Sequence, residues 1–344
     1  MSLATVDAPV LPPAGPPANA VLSERFASSP HNPLVLADLK SSVESIVQLI
    51  TPTSSTASPR AVYDGGYEDL AKQGVRVRIA NGAAGQTGLL KAWADAFIED
   101  MVSKGHRPFQ VAWYLSESTE SLALLSRGEV DIALTYIPAA EDQVVRLGNA
   151  IERVYAFRDH FALVGPKSNP AGLKDEDDIL MMINKIVVSG DADAVNPPKD
   201  RQPTKFLSRS DRSATNTKES QLFVTIGQLP WALPNSAWYH RYRCFPREAL
   251  QLVASFSEYT LIDYGTWLDA PASVTSALKA FKIGSEDADD PLLNPAHLLL
   301  GSRLPAEHQS VCKEFMKWVM AADGGQRVIE TFSKNGTVLY TGPP

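Results

Sequence analysis

Residues 75–102 read as strand, glycine turn and helix, and that order commits the chain to an α/β architecture. Val75, Val77 and Ile79 alternate with Arg76 and Arg78 along a strand. Gly82, Gly85 and Gly88 then punctuate the stretch NGAAGQTG. Beyond it Leu89, Leu90, Trp93, Ala96, Phe97 and Met101 recur at helical spacing. A strand that feeds a helix through such a turn leaves backbone N–H groups unpaired at the helix start, a ready setting for an anion. The pattern repeats. Residues 109–115 (FQVAWYL) read as a strand, and the polar run 116–121 opens a helix whose apolar side is Leu122, Leu124 and Leu125. Residues 128–136 (GEVDIALTY) read as the next strand. In open sheets of this kind ligands lie beyond the carboxyl ends of the strands, at helix N-termini.

The most polar of these junctions is the stretch 206–219, FLSRSDRSATNTKE. The apolar pair Phe206 and Leu207 precedes it and a Leu- and Phe-containing segment follows, which reads as strand, polar turn and helix start. Asn216 with Glu219 three residues on fits a capping box, and Ser213 is the alternative first cap. A helix N-terminus carries partial positive charge, and Arg209 adds a fixed guanidinium fork suited to an oxyanion. An ordinary Ser/Thr-rich loop has the same composition, so the stretch gains meaning only from the rest of the chain.

Composition narrows the classes. The 344 residues suffice for two domains or one large one, and 44% hydrophobic with 21% charged residues are globular values. A net charge of -7 argues against a nucleic-acid or anionic-membrane partner, so any anion must be held by local donors. Cys244 and Cys312 are the only cysteines, too few for a disulfide framework or a metal finger. No run reaches the length of a membrane span. Residues 1–34, rich in Pro, Ala and Ser, lack the pattern of a signal peptide, which leaves localisation open. Leu39, Val43, Ile46 and Leu49 give residues 36–50 helical spacing, residues 51–59 form a Ser/Thr/Pro linker, and Asp64-Gly65-Gly66 is a turn. Residues 1–72 are therefore expected to form an N-terminal extension and linker.

Two readings of the glycine stretch compete. The spacing of Gly82, Gly85 and Gly88 occurs in some dinucleotide-binding enzymes, where an acidic residue about 20 positions on grips the ribose. Glu117 follows Gly88 by 29 residues. Catalysis has little support: no Ser–His–Asp arrangement, zinc spacing or phosphate-loop motif is present. The histidines (His31, His106, His160, His240, His297, His308) are scattered. The expectation is a non-enzymatic protein without a cofactor.

The stretch SRSDRSATNTKE also resembles the SRGD-x-SGT-H-x-x-E signature of the tungstate-binding proteins that serve bacterial ABC importers, and of their fungal relatives. Ser208, Arg209, Asp211, Ser213, Thr215 and Glu219 match, while Ser210, Ala214 and Asn216 replace Gly, Gly and His. The family's hydroxyl-rich loop ending S-G-L-L resembles Thr87-Gly88-Leu89-Leu90, with Asn81, Gly82, Ala83 and Ala84 in place of the earlier hydroxyls. Residues 158–170 (RDHFALVGPKSNP) resemble the family's crossing strand N-D-F-V-I-V-G-P. Residues 259–268 (YTLIDYGTWL) resemble Y-T-L-T-D-R-G-T-Y-L, with Tyr264 for Arg. Residues 290–300 (DPLLNPAHLLL) resemble its return strand, and Phe315, Trp318, Gly325, Gln326, Ile329 and Phe332 its closing helices.

The resemblance implies a type II periplasmic-binding-protein fold, two α/β lobes joined by two crossover strands. It divides the chain into a first lobe (73–157), a second lobe (158–300) and a return to the first (301–344). It implies hinged binding of a tetrahedral oxyanion, tungstate or molybdate, between the lobes, with Asn81, Gly82, Ala83, Thr87, Ser118, Thr119, Ser208, Arg209, Ser213 and Thr215 as ligand-binding residues. An ABC transporter partner and a secreted location are implied by the family alone. Glu117 and Glu120 would repel a dianion if they face inward, which keeps phosphate or an organic anion in play as the ligand. The dinucleotide-dependent enzyme is the other alternative.

Overall fold

The computed structural model describes residues 57–67, 73–233 and 235–344; the helical spacing expected over 36–50 lies outside them. A single curved sheet organises the molecule. Its strands run in the order β1 (Ala61–Tyr63), β3 (Gln110–Leu115), β2 (Val75–Asn81), β4 (Ile132–Thr135), β10 (Leu293–Gly301), β5 (Ala150–Pro166) and β8 (Thr260–Asp263), with β9 (Leu278–Ile283) also paired to β5. Strands β2, β3 and β4 are parallel, as expected when each is separated from the next by a helix. A small parallel pair, β6 (Phe206–Ser208) with β7 (Tyr239–Arg241), joins through Phe206 and Leu207 to the backbone of Tyr259.

The 17-residue strand β5 makes the crossing. Its first part, Ala150 to His160, pairs with β10 in the first lobe; its second, Phe161 to Pro166, lies between β8 and β9 in the second. The apolar run from Phe161 to Val164 suits that position, since both faces are covered and the side chains are at most 1% exposed. The chain returns through β10, which already pairs with β4 from His297, a few residues before the return expected at 301. At the other end, β1 pairs antiparallel with β3, so part of the segment expected as extension supplies an edge strand. Three residues are too short for periodicity to mark a strand.

Helices cover both faces. Trp93, Phe97 and Phe315 meet edge to face in the first lobe, and Phe206, Phe223 and Tyr239 pack in the second. Helix α2 (Leu89–Ser103) follows the sequence pattern closely. The glycine stretch differs: residues Ala83–Thr87 form a short helix, α1. Gly85 is required there because a Cβ would sit 2.2 Å from the Trp113 indole, and Gly88 ends the turn at φ +96°. Two of the three glycines of the dinucleotide-like spacing are thus accounted for by local packing. Helix α5 (Ile179–Val195) is capped by Asp178, whose side chain accepts from Met181 N. Cys244 and Cys312 are free. Among the described residues no helix is long and apolar enough to cross a membrane.

Candidate functional site

Between the lobes lies a cavity of about 20 Å³, room for one or two waters. Three helices of useful length begin at it, of which α7 (Pro246–Phe256) opens on a proline and so offers no N–H at its first position. Helix α3 (Ser118–Arg127) starts after Glu117, whose side chain makes no cap hydrogen bond. Helix α6 (Ala214–Thr225) starts after Ser213, whose Oγ accepts from Asn216 N at 3.1 Å. Ser213 is therefore the cap, and the Asn216–Glu219 capping box does not form. Glu219 is instead buried beneath the turn, accepting from Tyr239 Oη at 2.6 Å, and burial pushes its carboxyl up to about 7.

Arg209 is 2% exposed and sits at the mouth of this turn. Its Nε donates to the Cys244 carbonyl at 3.0 Å. Its Nη2 lies 2.5 Å from Glu117 Oε1, across the cleft, and 2.5 Å from Asp211 Oδ2 in its own turn. The Asp211 contact is an ion pair without hydrogen-bond geometry, which leaves Asp211 Oδ2 without a hydrogen-bond donor. The turn is strained: Ser210 and Arg212 both adopt left-handed backbone, at φ 47° and 63°. A glycine at position 210, as in the family signature, would carry no such cost.

Of the residues expected at the site, the structure brings Gly82, Ala83, Ser118, Arg209, Ser213 and Thr215 around the cavity. It places the other four differently. Asn81 is spent on the backbone: Nδ2 donates to Leu134 O and Oδ1 accepts from Gly85 N, which shapes the glycine turn. Thr87 Oγ1 bonds Ala84 O and meets Tyr340 Oη at 2.9 Å. Thr119 Oγ1 donates across the cleft to Arg212 O at 3.1 Å. Ser208 lies behind the turn, its Oγ accepting from Ser210 N. Polar residues beside a glycine turn are as readily consumed by the turn itself as by a ligand.

Of the two glutamates weighed as inward-facing, Glu117 lines the cavity and Glu120 does not; Tyr136, Asp263 and Asn294 line it from strands that sequence reasoning did not connect. Asp263 Oδ1 caps helix α8 (Tyr264–Leu268) by accepting from Thr266 N, while its Oδ2 is buried without a partner. Asn294 Oδ1 is likewise unpartnered, while Tyr136 Oη faces Asn81 and the Ala84 backbone. Asn294 Nδ2 donates to Asp159 Oδ2, and burial together with the nearby Asp263 charge pushes Asp159 well above the usual carboxylate range. Burial also raises the Glu117 carboxyl, against the opposing pull of Arg209. The D in the resembling stretch YTLIDYGTWL was the one available signal for Asp263.

Two α/β lobes, crossing strands and a polar cavity between them define a periplasmic-binding-protein type of molecule. The PBP superfamily domain matches residues 54–323, and the chain belongs to that superfamily. Among curated relatives, the tungstate-binding protein TupA of Peptoclostridium acidaminophilum is 26% identical over 230 residues, covering 64% of this chain and 71% of that protein. Among solved structures, a periplasmic protein provisionally described as metal binding is 46% identical, with a TM-score of 0.74 over 83% of this chain and 99% of the other. The TupA structure from Desulfovibrio alaskensis G20 shares the fold at a TM-score of 0.61 and 24% identity, over 78% of this chain and 98% of that one. Among the described residues no group of three or more His, Cys, Asp or Glu is placed to hold a metal ion.

Proposed function

We propose that the protein is a receptor, not an enzyme, that binds a small tetrahedral oxyanion between its lobes, with tungstate or molybdate as the ligand. The carrying observation is the meeting of the Arg209 guanidinium with the starts of α3 and α6 and the hydroxyls of Ser118, Ser213 and Thr215 at one cavity. All are donors, and a fully ionised dianion needs donors. Arginine gives two charge-assisted bonds to one oxyanion, and helix N-termini add N–H groups and partial positive charge. The TupA relative supports the same ligand class, and a metal oxyanion reconciles it with the metal-binding description of the 46% identical structure. A transporter partner and hinge closure belong to this reading as well.

Calorimetry and thermal melting test it. Tungstate or molybdate should raise the melting temperature, by roughly 2.7 kcal/mol of stabilisation at 100 times the dissociation constant; NAD should not. Arg209→Ala should weaken binding by about 2–5 kcal/mol, some 30-fold to several thousand-fold. A folded Arg209→Ala protein that binds normally ends the reading. A second reading rests on Asp263 Oδ2 and Asn294 Oδ1, unpartnered acceptors suited to an anion that still carries a proton, such as phosphate. Phosphate binding tighter than tungstate and sulfate, lost in Asp263→Asn, would decide for it.

A further inference from the structure

Glu117 faces two spaces. On one side it lines the 20 Å³ cavity, and on the other an outer cleft of about 730 Å³. Its Oε1 holds Arg209 Nη2 at 2.5 Å, on the guanidinium edge that a bound oxyanion needs, and Asp211 Oδ2 lies 2.5 Å from the same nitrogen. A tetrahedral anion, with four oxygens about a central atom, is larger than the one or two waters the inner cavity admits. The anion and the Glu117 carboxylate therefore compete for the same volume and the same donor.

We propose that Glu117 is a built-in competitor: its carboxylate occupies the Arg209 anion position and must swing into the outer cleft for the ligand to bind. The inference rests on the oxyanion reading and adds the residue that sets its affinity. The outer cleft offers a receiving surface, since Arg127, Arg212 and Arg243 line it. The carboxylates Glu120, Asp211 and Glu248 line it too and temper that attraction. Asp211, on the same guanidinium, and Asp263, on the inner side, are the further negative charges acting on Glu117. Departure costs no helix cap, because the Glu117 side chain makes no cap hydrogen bond.

The sign with pH follows. Ionised Glu117 competes for Arg209 and protonated Glu117 does so far less, so anion affinity should rise as pH falls. Burial raises the Glu117 carboxyl, against the opposing pull of Arg209, so this change comes at a higher pH than for an exposed glutamate. If only a tenth of the molecules have Arg209 released, apparent affinity is reduced about tenfold, and removing the competitor restores it.

The test is titration calorimetry with molybdate on the full chain in mildly alkaline and mildly acidic buffer, for wild type, Glu117→Gln, Glu117→Ala and Glu120→Gln. Glu120 shares the first turn of α3 but lines only the outer cleft. Both Glu117 variants should bind about tenfold tighter than wild type in alkaline buffer, with the wild-type gain on acidification much reduced. Glu120→Gln should follow wild type. Using one anion throughout cancels its own protonation from the comparison. Glu117 variants that bind equally or more weakly, with the wild-type pH response intact, overturn the inference while leaving the oxyanion reading in place. Absence of binding by every variant at both pH values overturns both.

Discussion

Asp131 and Arg209 are buried to nearly the same degree, at 0% and 2% exposure, yet their surroundings differ in kind. Asp131, on the first-lobe sheet, accepts from Arg78 N at 2.8 Å and from Arg78 Nη2 at 2.6 Å, and His308 Nδ1 lies 2.9 Å away. Its charge is fully answered from within the fold. Arg209 is shared by two carboxylates through one nitrogen, and Asp263 Oδ2 and Asn294 Oδ1, at the same cavity, lack hydrogen-bond partners. Buried polar groups are nearly always paired in native proteins, so a concentration of unpaired ones marks a place where something else completes the set. Asp131 is satisfied within the first lobe, whereas the residues around Arg209 keep polar atoms that the fold does not pair.

Substitution at the two places should separate these roles. Asp131→Ala leaves the Arg78 and His308 donors stranded and should cost about 3–5 kcal/mol in urea unfolding, with anion affinity of the folded protein unchanged. Arg209→Ala should do the reverse, losing the anion with a smaller change in unfolding. Equal stability losses at both sites would erase the distinction.

Glu219 sharpens the comparison, because it is a buried carboxyl beneath the Arg209 turn whose pKa is raised from 4.5 to about 7. The folded state therefore holds a proton that the unfolded chain releases from about pH 4.5 upward. This contribution is complete below 4.5, falls as pH rises, and is fully lost above about 7. The loss amounts to on the order of 3 kcal/mol. Glu219→Gln keeps an acceptor for Tyr239 and should flatten that fall in unfolding free energy measured across the same window. A variant with the wild-type pH profile would mean that Glu219 titrates normally.

The smallest expected effect is at Ser210. Its left-handed backbone costs an L-residue roughly 1 kcal/mol, so Ser210→Gly should raise unfolding stability by up to about that amount, offset by the entropy glycine gains when unfolded. A measured loss would show that the Ser210 side chain contributes more than its strain.

Several elements were legible because their signals are local. Helix α2 follows from the spacing of Leu89, Trp93 and Phe97, and the crossing strand from the apolar run after His160 together with the resemblance. The Arg209 turn was visible as a dense polar run bounded by Phe206 and Leu207. The edge strand β1 was hidden, since pairing with β3 and not its own pattern makes it a strand.

The amino-acid sequence by itself determined the alternation of strand and helix from residue 75 onward and the cap at Ser213, because periodicity and capping act over a few residues. Only the tertiary structure decided which polar groups are spent within the fold and which meet at the cavity. Asn81 and Thr87 are consumed by their own turn, while Glu117, Tyr136, Asp263 and Asn294 converge from separate strand ends. Hydrogen-bond satisfaction is settled by neighbours in space, and one such pair, Thr87 and Tyr340, lies 253 residues apart along the chain.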